Sequence, residues 1–89
     1  MTEQAADAIA ERLVHFMLEN YPSDFDAENF PREESLFDLQ ILDSFAILGL
    51  LSFAEEQWNI QVADEDVTID NFVTVAAIAK LILRLQAEA

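Results

Sequence analysis

Three stretches of this chain repeat apolar residues at steps of three and four, and that period constrains the fold more than any other feature. In the first, over 5–19, Ile9, Leu13, Phe16 and Met17 share one side while Asp7, Glu11, Arg12 and Glu19 occupy others. The second begins near Asp43-Ser44, both residue types favoured at helix N-caps, and reaches Trp58, with Ile47, Leu50, Leu51, Ala54 and Trp58 as its core stripe. The third starts between Asn71 and Thr74, ends near Gln86, and carries Val75, Ile78, Leu81, Ile82 and Leu85. Side chains three and four apart share a face only on a helical backbone. One glycine and two prolines in 89 residues leave little punctuation for hairpins. The pattern predicts one all-α domain over 1–89, a bundle of three long helices and a short one.

The joints are legible too. Tyr21-Pro22 ends the first helix, because the residue before proline is pushed out of the α region. A long acidic loop follows over 23–42, pinned by Phe25, Phe30, Leu36, Phe37, Leu39 and Ile41; loops of that length are usually functional or ordered by such anchors. The second helix carries Phe45, Leu48 and Phe53 beside or outside its stripe, so it is buried on two sides or meets a partner. Asn59-Ile60-Gln61-Val62 alternates like a strand but has none to pair with, and reads as an extended connector with Ile60 and Val62 inward. Residues 64–70 hold one short helical turn, and Lys80 and Arg84 sit towards the C-terminal half of the last helix, where cations complement its dipole.

Charge excludes several functions. Four basic residues face 18 acidic ones, a net charge of −14, which repels nucleic-acid phosphates and anionic lipid and steers in partners with basic patches. A hydrophobic content of 53% argues against disorder despite that charge. With no cysteine there is no disulfide, thiol nucleophile or thiolate metal site. The first residues, acidic and without an apolar run, do not resemble a signal peptide. The longest apolar stretch, Phe45 to Ala54, is broken by Gly49 and Ser52 and is too short to span a bilayer. A cytoplasmic monomer that does not insert into membranes is expected.

Catalytic constellations are hard to assemble. The single histidine, His15, sits mid-helix with no nucleophile tied to it in sequence, and no nucleophile-elbow motif is present. Asp64-Glu65-Asp66 opens like an EF-hand loop, but Ile69 and Val75 stand where the turn glycine and bidentate glutamate belong. Gly49 alone cannot build a phosphate loop. No catalytic residue and no resident metal are expected. What remains is Ile41-Leu42-Asp43-Ser44-Phe45, where an exposed serine at a helix N-terminus has free N–H groups and the positive dipole end nearby, an environment suited to a phosphate ester. Asp43 or Ser44 as a plain helix cap is the alternative.

Leu42-Asp43-Ser44-Phe45, followed by Leu48, Leu50, Leu51, Glu55, Glu56 and Trp58, resembles the attachment-site helix of acyl and peptidyl carrier proteins. The likeness continues through Ile60, Val62, Asp64, Glu65 and Asp66, and closes on Phe72, Thr74, Val75, Ile78, Leu81 and Ile82, covering about 36–85. It implies the four-helix carrier fold, with a long loop between its first two helices, and no activity of the chain's own. It further implies a 4′-phosphopantetheine arm, transferred from coenzyme A to Ser44 by a phosphopantetheinyl transferase that brings its own base and Mg²⁺ and engages Asp43. An acyl- or aminoacyl-loading ligase and downstream acyl-processing enzymes would then dock on Phe45, Leu48, Ser52, Glu55 and Glu56.

There are departures from the family pattern. Many carriers place a glycine shortly before Asp-Ser, where this chain has Gln40, Ile41 and Leu42, implying a stiffer loop. Gly49 replaces the acid that fatty-acid-synthesis carriers usually place there, which points to a specialised pathway. The Leu-Asp-Ser-Phe form is similar to discrete D-alanyl carriers. A carrier-like interaction module that is never modified is the competing expectation, and an autonomous hydrolase built on Ser44 or Ser52 a remote third.

Overall fold

The computed structural model describes residues 2–21 and 23–88, with side chains from Ala5 onward. Among them the regular elements are all helical: α1 (Thr2–Asn20), α2 (Ser44–Trp58), a 3₁₀ turn (Asp64–Asp66), α3 (Ile69–Phe72) and α4 (Val75–Glu88). The all-α expectation and the carrier-like bundle are borne out. α1 starts before residue 5, where Thr2, Glu3 and Gln4 offer no apolar residue for periodicity to catch. Pro22 lies outside the described residues; α1 ends as Tyr21 N–H donates to the Met17 carbonyl at 2.8 Å.

The core lies chiefly between α1 and α4. Ile9, Ala10, Leu13, Val14 and Met17 from α1 meet Val75, Ile78, Ala79, Leu81, Ile82 and Leu85 from α4, all buried. Ala10 and Val14 widen the α1 stripe beyond the expected residues, while Phe16 is only half-buried. α2 is attached differently. It buries Leu50 and Ala54, whereas Ile47, Leu51 and Trp58, expected in the core, stay partly exposed. Its backbone keeps its distance from α1, and aromatic side chains fill the gap. Phe16 stacks on Phe53 at 4.1 Å, Tyr21 meets Phe16 edge-on at 5.8 Å, and Phe53 meets Trp58 edge-on at 5.6 Å.

The long loop is a structural part of the core. Phe30, Leu36, Ile41 and Leu42 are buried, and its backbone groups are satisfied by ordered bonds: Leu36 N–H donates to the Val73 carbonyl, and Ile41 and Leu42 N–H to the Leu36 carbonyl. The Arg32 carbonyl accepts from Ala76 N–H, in the first turn of α4, and the Arg32 guanidinium pairs with Asp7 of α1 at 2.6 Å. Gln40 takes a left-handed backbone, φ 62, which is the conformation a glycine adopts most easily. The loop thus bends at Gln40 on a residue whose side chain resists that conformation.

Between α2 and the 3₁₀ turn the chain is a short non-helical connector that is extended at Ala63, with Ile60 buried and Val62 half-buried, both inward as expected. The single short turn expected over 64–70 is instead two pieces, because Thr68 caps a new helix by accepting from Asn71 N–H. Phe72 therefore ends α3, and α4 begins at Val75 behind a second cap, Thr74 accepting from Ala77 N–H at 2.9 Å. The dipole expectation for Lys80 and Arg84 is corrected: the last turn of α4 holds no basic residue. Arg84 instead reaches back to Asp66 at 2.9 Å, tying the 3₁₀ turn to the helix.

Candidate functional site

Asp43 and Ser44 divide the work that a helix start demands. Asp43 is the N-cap: its Oδ1 accepts from Ala46 N–H at 2.8 Å, and its carbonyl accepts from Ile47 N–H at 3.1 Å. Ser44 is the first residue of α2, it is exposed, and the capping task has been taken from it. The plain-cap alternative thus applies to Asp43 and leaves the serine hydroxyl in solvent. The N–H groups of Ser44 and Phe45 are the first-turn donors left beside it, at the positive end of the helix dipole.

Large apolar side chains flank this hydroxyl without cover. Phe45 is 84% exposed and Leu48 60%. Gly49, Ser52 and Glu56 continue the exposed strip along α2. Glu55 departs from it: the side chain is half-buried and its Oε2 accepts from Val62 N–H at 3.0 Å, bracing the connector. Ile69, at the start of α3, is a further exposed apolar residue, at 70%.

Two residues whose contact the sequence did not reveal, Tyr21 and Gly49, meet at the first turns of α2. Tyr21, read from the sequence only as a helix end, donates its hydroxyl to the Ala46 carbonyl at 2.9 Å, joining the end of α1 to the first turn of α2. Burial, and secondly the Asp43 carboxylate, push its phenol pKa above the ordinary 10.0. Gly49 makes room for that contact, since a Cβ there would lie 3.3 Å from the Tyr21 hydroxyl. An open groove of about 460 Å³ results, lined by Phe16, Asn20, Tyr21, Asp43, Phe45, Ala46 and Gly49. The sequence held half of the signal, a glycine that costs its helix about 1 kcal/mol relative to alanine, but nothing local paired it with Tyr21.

Among the described residues no side chain is hydrogen-bonded to the Ser44 hydroxyl. Asp43 Oδ1 is engaged with a backbone N–H, and His15 is exposed on α1, beside Arg12, Phe16, Glu19 and Phe53. No polar side chain is buried among the described residues, and no cluster of three or more His, Asp or Glu able to hold a metal occurs among them. None of their helices is long and apolar enough to cross a membrane.

No family model matches the chain. A protein of Serratia sp. (strain ATCC 39006) described as "Probable acyl carrier protein PigG" is 30% identical over 64 residues, covering 72% of this chain and 74% of that protein.

Proposed function

The chain belongs to the acyl carrier protein family, and we propose that it is a non-catalytic carrier whose Ser44 bears a 4′-phosphopantetheine arm. The observation that carries this reading is the division of labour at the start of α2, where Asp43 caps the helix and leaves an exposed Ser44 hydroxyl between uncovered apolar side chains. The residues fit such a group. An exposed serine can form the phosphodiester, and the remaining first-turn N–H groups can solvate it. Asp43 places a like charge nearby, a repulsion that solvent around this exposed site screens.

When bound, the arm supplies a terminal thiol that holds acyl or aminoacyl groups as thioesters, in a chain with no cysteine of its own. An unactivated serine hydroxyl is a poor nucleophile, so the base and Mg²⁺ come from the transferase. That enzyme moves the phosphopantetheine phosphoryl group from coenzyme A to Ser44 Oγ, takes the hydroxyl proton and releases the nucleotide. Asp43 is its engagement residue in this reading. Phe45, Leu48, Ser52 and Glu56 form the docking strip for transferase, loading ligase and downstream enzymes, with Glu55 contributing less because it holds the connector. The net charge of −14 supports partners with basic faces. A single cytoplasmic domain in a specialised pathway completes the reading.

Incubation with coenzyme A, Mg²⁺ and a broad-specificity phosphopantetheinyl transferase, followed by intact-mass measurement, tests it. The expected result is one added phosphopantetheine, lost in Ser44→Ala; no added mass, or a mass that survives the substitution, rejects it. The exposed Phe45 and Leu48 would equally serve an unmodified interaction module. Partner binding indifferent to Ser44→Ala, in a chain that takes up no added mass, would establish that reading instead.

A further inference from the structure

Beneath the start of α2 lie buried side chains: Leu36, Ile41, Leu42 and Leu50 are each no more than 6% exposed. On the surface beside them an open groove adjoins the residues that flank Ser44. The groove between the end of α1 and the start of α2 draws its lining from both chain neighbours of Ser44, Asp43 and Phe45. We propose that this α1–α2 groove seats the 4′-phosphopantetheine arm and the first atoms of a compact cargo, an inference that rests on the modification of Ser44 argued above.

The chemistry of the groove matches an arm built from amides joined by short aliphatic links. Ala46 and Gly49 form an apolar floor, and Phe16, Tyr21 and Phe45 present aromatic walls. Asn20 Nδ2 donates to the Phe16 carbonyl at 2.8 Å, which leaves Oδ1 to accept an amide N–H from the arm. Tyr21 Oη donates to the Ala46 carbonyl and keeps its lone pairs for the same purpose. The volume, about 460 Å³, is in the range of small-molecule sites. Because the groove is open, short or flat acyl and aminoacyl groups rest against the aromatic walls, whereas a long alkyl chain overhangs into water. Gly49, in this light, sets cargo class: any side chain there narrows the floor against Tyr21, whose hydroxyl a Cβ would already approach to 3.3 Å.

The test loads the protein from benzoyl-coenzyme A, using the same transferase, and confirms the product by intact mass. Backbone amide shifts are then compared with the unmodified chain, and the rate of thioester cleavage by hydroxylamine is compared with that of free benzoyl-pantetheine. The expected result is shift changes at Asn20, Tyr21, Ala46 and Gly49 and cleavage slowed several-fold. Gly49→Met, which fills the floor, should abolish that protection while mass uptake persists. Because Gly49→Met crowds Tyr21, Asn20→Trp serves as a second block that leaves the tyrosine contact alone, and melting curves check that each variant folds. Shifts confined to Ser44 and its neighbours, shifts centred on Ile69–Phe72, or cleavage as fast as on free pantetheine would overturn the proposal. Failure to gain mass would instead overturn the carrier reading beneath it.

Discussion

α2 and α4 are nearly equal in length, 15 and 14 residues, yet they use their apolar side chains in opposite ways. α4 buries six of them on one face and turns Lys80, Arg84, Gln86 and Glu88 to water. α2 buries only Leu50 and Ala54 and leaves Phe45 and Leu48 in solvent. One helix spends its hydrophobicity inside the molecule and the other holds it in reserve. Complete burial of a Leu or Phe side chain is worth about 1.5–3 kcal/mol, so the two exposed residues of α2 hold a driving force that folding has not used.

Substitution should separate the two helices sharply. Ile78→Ala, in the core of α4, is expected to destabilise the protein by about 2–5 kcal/mol in urea unfolding. Leu48→Ala should move stability by no more than about 0.5 kcal/mol, as for a surface site. Equal costs would show that α2 packs as α4 does and would remove the basis for a docking strip.

The reserve should appear in partner binding instead. Leu48→Asp is expected to lower the rate of modification by the transferase about tenfold, equivalent to ~1.4 kcal/mol, with the urea midpoint unchanged. An unaltered rate would move the docking surface off α2.

The cap then tests which functions of the α2 start belong to Asp43. Asp43→Ala loses the bond to Ala46 N–H and should cost about 1 kcal/mol, whereas Asp43→Asn keeps an acceptor and should cost a few tenths at most. If the carboxylate also engages the transferase, Asp43→Asn will be stable but slowly modified. Modification of Asp43→Asn at the full rate would confine Asp43 to capping.

The contrast between α2 and α4 also marks what the sequence could and could not reveal. Every expected core residue of α4 is buried, because its apolar stripe has a polar face opposite and only one orientation satisfies both. In α2 the apolar residues run around the circumference, so periodicity could not choose between Ile47, Leu51 and Trp58 and the Leu50–Ala54 line that faces inward. The prominence of Asp43-Ser44 was legible, since capping chemistry is local. The groove beside it was not, because Tyr21 and Gly49 lie 28 positions apart in the chain and meet only through the packing of α1 on α2. Gln40 is a similar case: nothing local marks a glutamine for a left-handed backbone, and the buried Leu36, Ile41 and Leu42 around it impose that bend.

Tyr21 is one of the few ties between α1 and α2, and its ionisation offers a way to loosen that tie. Burial and then Asp43 raise its pKa above 10.0 in the folded chain. A raised folded value means that the contribution to stability is complete below about pH 10 and is lost as pH rises through the higher folded value. Stability should therefore fall at alkaline pH, and the fall should be smaller in Tyr21→Phe. As the chain has a single tyrosine, phenolate absorbance follows this group alone. Titration at or below the ordinary value would deny the coupling to α2.

The smallest effect bears on why α2 tolerates a glycine at all. Glycine within a helix costs about 0.8–1.0 kcal/mol relative to alanine, so Gly49→Ala should stabilise α2 unless its Cβ is resisted. The nearest resistance is the Tyr21 hydroxyl at 3.3 Å, itself held by the Ala46 carbonyl at 2.9 Å. The gain should therefore be largely absent in the otherwise unaltered chain and appear in the Tyr21→Phe background, where the oxygen is gone. A double-mutant cycle should return a coupling of about 0.5 kcal/mol or more, beyond the ~0.3–0.5 kcal/mol scatter of independent sites. Simple additivity would mean that Gly49 is not held by Tyr21, and that the looseness of α2 has its origin elsewhere than in this contact.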